Sequence, residues 1–427
     1  MNSDSSKLKK IIDDWNTWTK QVTRSKFKRH DLQINYITNN AIALIGARRT
    51  GKTFYALEIA EALQKNFLYM NFEDPYFIEN NSVAELDKLI EVYTEYSFKE
   101  PELLILDEIQ NIEYWERWVR KIIDLKKYQI IITGSSAKLL SSEIASSLTG
   151  RSLSYKIWPL SFLEYLKFKN INHELNYNES LAYFKQYLIE GGFPEPTLIN
   201  SYTARSLELM QYFEDILNKD IIRRYEIRNS KKLFLVASYY LTNVSSHHST
   251  HSVKKALNIN AETVGDYTSF LEDAFLIFSV ERYHPNLKVQ TRDSKKFYAI
   301  DTGLRNIIAR SDSEDIGKLA ENAVFIELKR RSKEIYYYKE KKEVDFILTE
   351  NFQPKLAIQV CYSDLDDPKT YRRELDSLTA CLADLNLDEG LILTKDREEV
   401  MSCGCKKIRF IPLYKWMSEQ RQQSCQL

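Results

Sequence analysis

Eight residues, GARRTGKT from Gly46 to Thr53, fit the pattern G-x-x-x-x-G-K-[S/T] at every fixed position. Glycines let backbone N–H groups wrap a phosphate, the lysine reaches the β- and γ-phosphates, and the last hydroxyl reaches a Mg²⁺ ion. Gly46, Arg49, Thr50, Gly51, Lys52 and Thr53 are therefore candidate nucleotide-binding residues, with Lys52 also catalytic and Thr53 also a metal ligand. Further along, ELLILDEIQ places four apolar residues before Asp107 and Glu108. Asp107 suits the Mg²⁺ shell, and Glu108 suits a base that polarises the attacking water. NFLYMNFEDP ends on Glu73 and Asp74, and YQIIITGSSAKLL ends on Thr133, Ser135 and Ser136. Ser135 is the candidate sensor of the γ-phosphate, with an N-cap for a helix starting near Ala137 as the structural alternative. An arginine finger accelerates phosphoryl transfer by orders of magnitude. Arg151, in SLTGR, is the leading candidate, and Arg223 and Arg224 are others; a surface salt bridge is the ordinary role for each.

A second set of chemistry-bearing residues lies near the other end. EVDFILTENFQPKLAIQVCY reads as two apolar strands joined by a polar turn, with Asp345 near the start. A metal-dependent nuclease would want Glu and Lys where the second strand carries Gln359 and Cys361. Gln keeps an acceptor oxygen without the charge, and Cys is a soft ligand that carries no ammonium. GKLAENAVFIELKRR offers Glu321 on a helix, and Glu343, Glu350 and Lys355 are neighbours able to fill the gap, although no spacing demands it. Cys403 and Cys405 are too few for a zinc site without a second pair. The polar run SSHHSTH reads as a loop, with His247, His248 and His251 exposed and unliganded.

These residues need elements to hold them. Ala41–Ile45 is an apolar run short enough for a buried parallel strand, and Phe54, Leu57, Ile59, Ala60 and Leu63 then recur at helical spacing. EGGFPEP punctuates a helical stretch over 166–230. After it, LFLVASYYLTN, SVKKALNI and a helix over Ala261–Asp273 precede a strand, the order of a winged helix. Its exposed residues would be Asn260, Glu262, Thr263, Asp266 and Tyr267. Glu262 and Asp266 repel phosphates, whereas Lys254 and Lys255 attract them. DNA contact and protein contact, including self-association, stand level on that pattern. The basic runs at Lys329–Lys333 and KEKKE read as solvated faces.

The bulk composition sets limits. The chain has 427 residues, 44% hydrophobic and 28% charged, enough for several packed domains. Sixty basic and sixty acidic residues cancel, so nucleic acid would have to meet a local patch. No apolar run approaches the ~20 residues that span a bilayer. The polar start and the five cysteines (361, 381, 403, 405, 425) suggest a reducing cytoplasm and no membrane.

Taken in order, GARRTGKT, LLILDEIQ, ITGSSAKLL, LTGR with PLSFLEYL, EGGFPEP, KFYAIDTGLRN and GKLAENAVFIEL resemble the prokaryotic AAA-type P-loop ATPases near the archaeal ATPase and STAND branches. The resemblance spans almost the whole chain. It implies an α/β fold: a P-loop NTPase parallel sheet with helices on both faces, a helical lid, a winged helix and a C-terminal restriction-endonuclease-like domain of the PD-(D/E)xK type. The expected boundaries are 1–30 for an N-terminal helical segment, 31–165 for the ATPase core, 166–230 for the lid, 231–285 for the winged helix and 286–427 for the nuclease-like domain. In that domain Glu321, Asp345, Gln359 and Cys361 would be a degenerate nuclease site. The implied ligands are ATP and Mg²⁺, and the implied activity is ATP hydrolysis that moves these parts. An ATP-gated Mg²⁺-dependent nuclease and a non-hydrolysing nucleotide switch are the rival expectations.

Overall fold

The computed structural model describes residues 3–22, 29, 39–135, 148–309, 316–331, 333–363 and 365–419. Ser136, Ala137 and Cys425 lie outside these residues. The chain divides into two units, 1–157 and 158–427, each with its own core.

In the first unit five strands lie parallel: β1 (Ala41–Ile45), β2 (Phe67–Asn71), β3 (Leu103–Asp107), β4 (Gln129–Gly134) and β5 (Ser152–Lys156), in the order β2-β3-β4-β1-β5. β4 thus separates the P-loop strand from the acidic strand. Parallel neighbours require crossover helices that cover both faces, so the central strands are buried and mostly apolar, with polar residues at their ends. Helix α1 (Ser3–Val22) and helix α2 (Lys52–Leu63) share one face. There Ile42, Leu44, Leu103, Ile105 and Ile131 meet Tyr55, Ala56, Ile59 and Ala60, with Trp15 and Trp18 packed alongside. Helix α3 (Val83–Ser97) packs against α1, and helix α4 (Trp115–Asp124) lies on β4. The N-terminal helix is therefore part of the first unit.

The second unit begins with helices α5 (Phe162–Phe168), α6 (Tyr177–Glu190) and α7 (Tyr202–Asp215), the last continued by a π-helical stretch, Ile216–Ile222. Helices α8 (Ser230–Thr242), α9 (Thr250–Leu257) and α10 (Ala261–Asp273) follow. They pack with a small antiparallel sheet of β6 (Ser246–His248), β7 (Ile277–Val280) and β8 (Lys295–Ala299), ordered β6-β8-β7. β8, the middle strand of this sheet, lies beyond residue 285. Two expectations fail here. SSHHSTH is not an exposed loop: His247 and His248 lie on β6, where pairing with β8 draws them in, and His248 is buried. Tyr267 is also buried and donates to the Asn229 carbonyl, while Asn260, Glu262 and Asp266 are exposed.

Helices α11 (Thr302–Ile308) and α12 (Ile316–Arg330) lead into a mixed sheet of β9 (Glu334–Lys339), β10 (Glu343–Glu350), β11 (Gln353–Cys361), β12 (Glu389–Thr394), β13 (Glu399–Cys403) and β14 (Lys406–Pro412). Its order is β13-β14-β12-β11-β10-β9, parallel only across β11, β12 and β14. Helix α13 (Pro368–Asp384) covers it with Leu378, Cys381 and Leu382, and helix α14 (Leu413–Ser418) ends the described chain's last element. The helices expected as a lid pack within this unit, α6 and α7 against α11, and α6 also against α12. One joint is especially close. Asp301 caps α11, accepting from Leu304 N at 2.8 Å and from Gly192 N at 2.6 Å. A Cβ on Gly303 would collide with the Glu190 carbonyl, so only glycine fits there.

No helix among the described residues is long and apolar enough to cross a membrane.

Candidate nucleotide site and a closed acidic cluster

In a parallel α/β sheet, ligands gather at the carboxyl ends of the strands. The P-loop leaves β1 at that edge and turns into α2. Gly46 is required by close approach, since a Cβ there would strike the Ile157 carbonyl oxygen. Gly51 caps α2 at φ 92°, a left-handed backbone, and has no side chain to satisfy the helix's first N–H groups. Most capped helices of the second unit use Ser, Asn or Asp at that position. The first-turn N–H groups of α2 are thus left without a side-chain acceptor at the carboxyl edge of the sheet.

Lys52 is buried. Its ammonium donates to the Gly46 and Ala47 carbonyls at 3.3 and 3.2 Å and lies 3.6 Å from Glu108 Oε1. Thr53 Oγ1 donates to Asp107 at 2.9–3.0 Å. The Asp107 carboxylate also accepts from Tyr69 OH at 2.8 Å and from Thr133 Oγ1. Glu108 stands at φ 53°, ψ 45°, an uncommon backbone for a non-glycine residue, and Gln110 Nε2 holds its carboxylate at 2.5 Å. Thr133 Oγ1 also accepts from Glu108 N at 3.1 Å. Burial and the adjacent Glu108 charge push Asp107 up to about 6, against its hydroxyl donors. Burial acts on Glu108 too, yet the Lys52 and Arg48 charges hold it below the usual carboxylate range. Arg48 pairs with Glu73 at 2.8 Å.

Thr53 and Asp107 are hard oxygen donors on facing elements, a set that suits Mg²⁺, which takes few protein ligands and keeps waters and phosphate oxygens. Thr50 is buried and donates to the Ala47 carbonyl, and Arg49 is exposed at φ 68°. Thr133 is the β4 residue bonded to the acidic pair; Ser135 is buried two residues beyond. Arg151 stands apart from the nucleotide site of its own chain. β5 runs parallel to β1 with Ser152 beside Ala41, so Arg151 precedes the strand at the edge opposite the P-loop. Five residues of strand separate the two edges, about 17 Å. Within its own chain Arg151 pairs with Asp124 at 2.7 Å. Arg223 and Arg224 belong to the second unit.

In that second unit three of the four residues expected of a degenerate nuclease site come together, and Cys361 does not. Glu321 of α12 and Asp345 of β10 meet, but around a residue that sequence reasoning missed. Lys296 of β8, only 3% exposed, lies 3.1 Å from Glu321 and 2.9 Å from both Asp345 and Glu343. Tyr298 OH donates to Glu321 at 2.8 Å, His247 Nε2 meets Glu343 at 2.9 Å, and Val360 N donates to Asp345 at 2.9 Å. Gln359 accepts from Asp345 N at 3.2 Å and donates to Glu374 at 2.7 Å. Cys361 instead sits in the apolar core with Leu378 and Cys381. Glu343 thus joins the cluster, whereas Glu350 and Lys355 line a separate cavity with Arg331 and Trp416.

Burial opposes the charge on Lys296, but Asp345, Glu321 and Glu343 hold its ammonium well above the ordinary lysine value. Glu321 is pushed up to about 7 by burial and then by the Asp345 charge, offset in part by Lys296. Burial also opposes ionisation of Glu343, yet His247 and Lys296 hold it far down. The oxygens a divalent ion would use are turned to an ammonium, so this set does not fit Mg²⁺. Among the described residues no trio of His, Cys, Asp or Glu could hold a metal, the Cys403 and Cys405 hairpin included.

Comparison with known proteins agrees with the first unit. The profile of an AAA domain matches residues 38–166, and profiles of two domains of unknown function, DUF8612 and DUF4143, match 181–315 and 316–416. The uncharacterized protein MJ1544 of Methanocaldococcus jannaschii is 35% identical over 416 residues, covering 92% of this chain and 91% of that one. An uncharacterized protein of Haemophilus influenzae is 30% identical over 314 residues, covering 71% and 78%. Among solved structures, the Thermotoga maritima RuvB Holliday junction branch migration motor aligns at 14% identity and a TM-score of 0.30, covering 65% of this chain and 89% of that one. The Aeropyrum pernix ORC1 protein in complex with DNA aligns at 13% and 0.30, covering 72% and 92%. With an AAA domain at residues 38–166, the chain belongs to the family of the Methanocaldococcus jannaschii and Haemophilus influenzae proteins.

Proposed function

We propose that the first unit binds ATP with Mg²⁺ and hydrolyses it, and that the second unit is the part hydrolysis acts on. The observation carrying this reading is the convergence of Lys52, Thr53, Asp107 and Glu108 at the carboxyl edge of one sheet. Lys52 turns its ammonium from the loop carbonyls to the phosphate oxygens. Thr53 and Asp107 would hold Mg²⁺, which would neutralise charge on the phosphates. Glu108, ionised at neutral pH, orients water and takes its proton. Ser135 remains the proposed γ-phosphate contact. With Arg151 at the far edge of its own sheet, an arginine finger has to come from elsewhere, and turnover by the chain alone is slow. Glu108→Gln tests the assignment: ATP binding persists and turnover falls about 10²–10⁴-fold. Undiminished turnover removes Glu108 from the role of base.

For the second unit we propose a winged helix over α8–α10 and β6–β8, and a nuclease-like domain that is a scaffold. The closed Lys296 cluster argues against cleavage. The exposed Glu262 and Asp266 on α10 favour a protein partner over DNA, since they repel phosphates. Turnover measured with and without double-stranded DNA separates the two: indifference supports the protein partner, and stimulation supports DNA.

A further inference from the structure

Tyr69 is a fully buried phenol on β2, the edge strand of the first sheet, and the roles given above to the nucleotide site do not use it. Its hydroxyl donates to Asp107 Oδ2 at 2.8 Å. The other oxygen, Oδ1, accepts from Thr133 on β4. β2 and β4 are the two neighbours of β3, so the strand on each side sends one hydroxyl into the Asp107 carboxylate. The third donor, Thr53, comes from α2 and is the one a metal shell would engage. The two flanking hydroxyls therefore fix the carboxylate, and the third shares it with the ligand.

Tyr69 is itself held from behind. Trp18 stacks on its ring at 5.5 Å with 28° between planes, and Trp15 meets it edge-on at 5.6 Å. Both tryptophans belong to α1. Trp18 also touches Phe54 of α2, and Trp15 Nε1 donates to Asp74 at 3.2 Å. A phenylalanine would fill the same space and keep these ring contacts, so the hydroxyl is what the Asp107 contact adds.

We propose that Tyr69, braced by Trp15 and Trp18, is a positioning residue that sets the Asp107 carboxylate for Mg²⁺, which makes the N-terminal helix part of the nucleotide site. This rests on the reading that the first unit binds ATP with Mg²⁺. The test uses the full chain and a fluorescent ATP analogue, with affinity measured in EDTA and then across a Mg²⁺ titration. In Tyr69→Phe the metal-free affinity stays within about twofold, while the Mg²⁺ concentration for half-effect rises about tenfold, the loss of one hydrogen bond to a charged group. Trp18→Phe, which keeps the hydroxyl and shrinks its brace, shifts the same midpoint in the same direction by less. A Tyr69→Phe titration that overlays the wild type overturns the proposal. So does an equal loss of affinity with and without metal, which would mark a purely structural role. If Tyr69→Phe does not fold, a Trp18→Phe midpoint equal to that of the wild type overturns it. Wild-type protein that binds no analogue in either condition removes the nucleotide reading itself, and this inference with it.

Discussion

Lys52 and Lys296 are both buried ammonium groups beside carboxylates, and they have opposite meanings. Lys52 rests on two carbonyls of its own loop, with one carboxylate at 3.6 Å. Those are contacts a phosphate can replace. Lys296 is gripped by three carboxylates within 3.1 Å, each fixed by a further donor. A ligand there would have to displace a resident charge from a low-dielectric pocket, where breaking one partner of an ion pair is most costly. What separates an open site from a closed one is how strongly the lysine is already satisfied.

Substituting each lysine tests that contrast most severely. Lys296→Met leaves three buried carboxylates around a neutral side chain, and the second unit loses about 3–5 kcal/mol. Urea unfolding checks it; a midpoint within error of the wild type would mean that the cluster is not the lock described. Lys52→Ala costs less stability, since one carboxylate rather than three loses its partner, but lowers ATP turnover by about 10²–10³-fold. Unchanged turnover would sink the P-loop assignment.

A smaller effect comes from pH. Burial, and then the neighbouring Asp345 charge, push Glu321 from the ordinary 4.5 to about 7. Its folded-state pKa is raised, so the stability it contributes is full below about pH 4.5 and is lost as pH rises through about 7. The slope in that window is at most about 1.4 kcal/mol per pH unit, and Glu321→Gln flattens it. A wild-type urea midpoint that rises between pH 5 and 7 in step with Glu321→Gln contradicts that sign. The least change is expected from Gln359→Glu, which restores an acid beside Glu374 while Lys296 stays in place. No plasmid is cut with Mg²⁺, and cutting would show that the cluster opens.

The first site was legible because its chemistry is contiguous. A loop of eight residues and one acidic pair carry most of it, and apolar runs announce the strands that align them. Tyr69 was not legible: in NFLYMNFEDP a tyrosine within a buried strand reads as core until the order β2-β3-β4 places it next to Asp107. Lys296 was hidden for a stronger reason. KKFYA looks like an ordinary strand with a basic start, and its partners lie 25 and 49 residues downstream on other elements. The position of Arg151 was not legible because SLSYK, partly exposed and polar, does not announce the parallel edge strand that sets it.

The Gly303 joint has a mechanical consequence. Where two backbones touch with no side chain between them, there is no rotamer to flex and no gap to take up movement. Glu190 ends α6, and Gly303 is seven residues beyond Lys296 in the chain. A shift of α6 is therefore delivered with little slack to the strand that carries the Lys296 charge. EGGFPEP, which reads as loose punctuation, is the stiff coupling of the second unit.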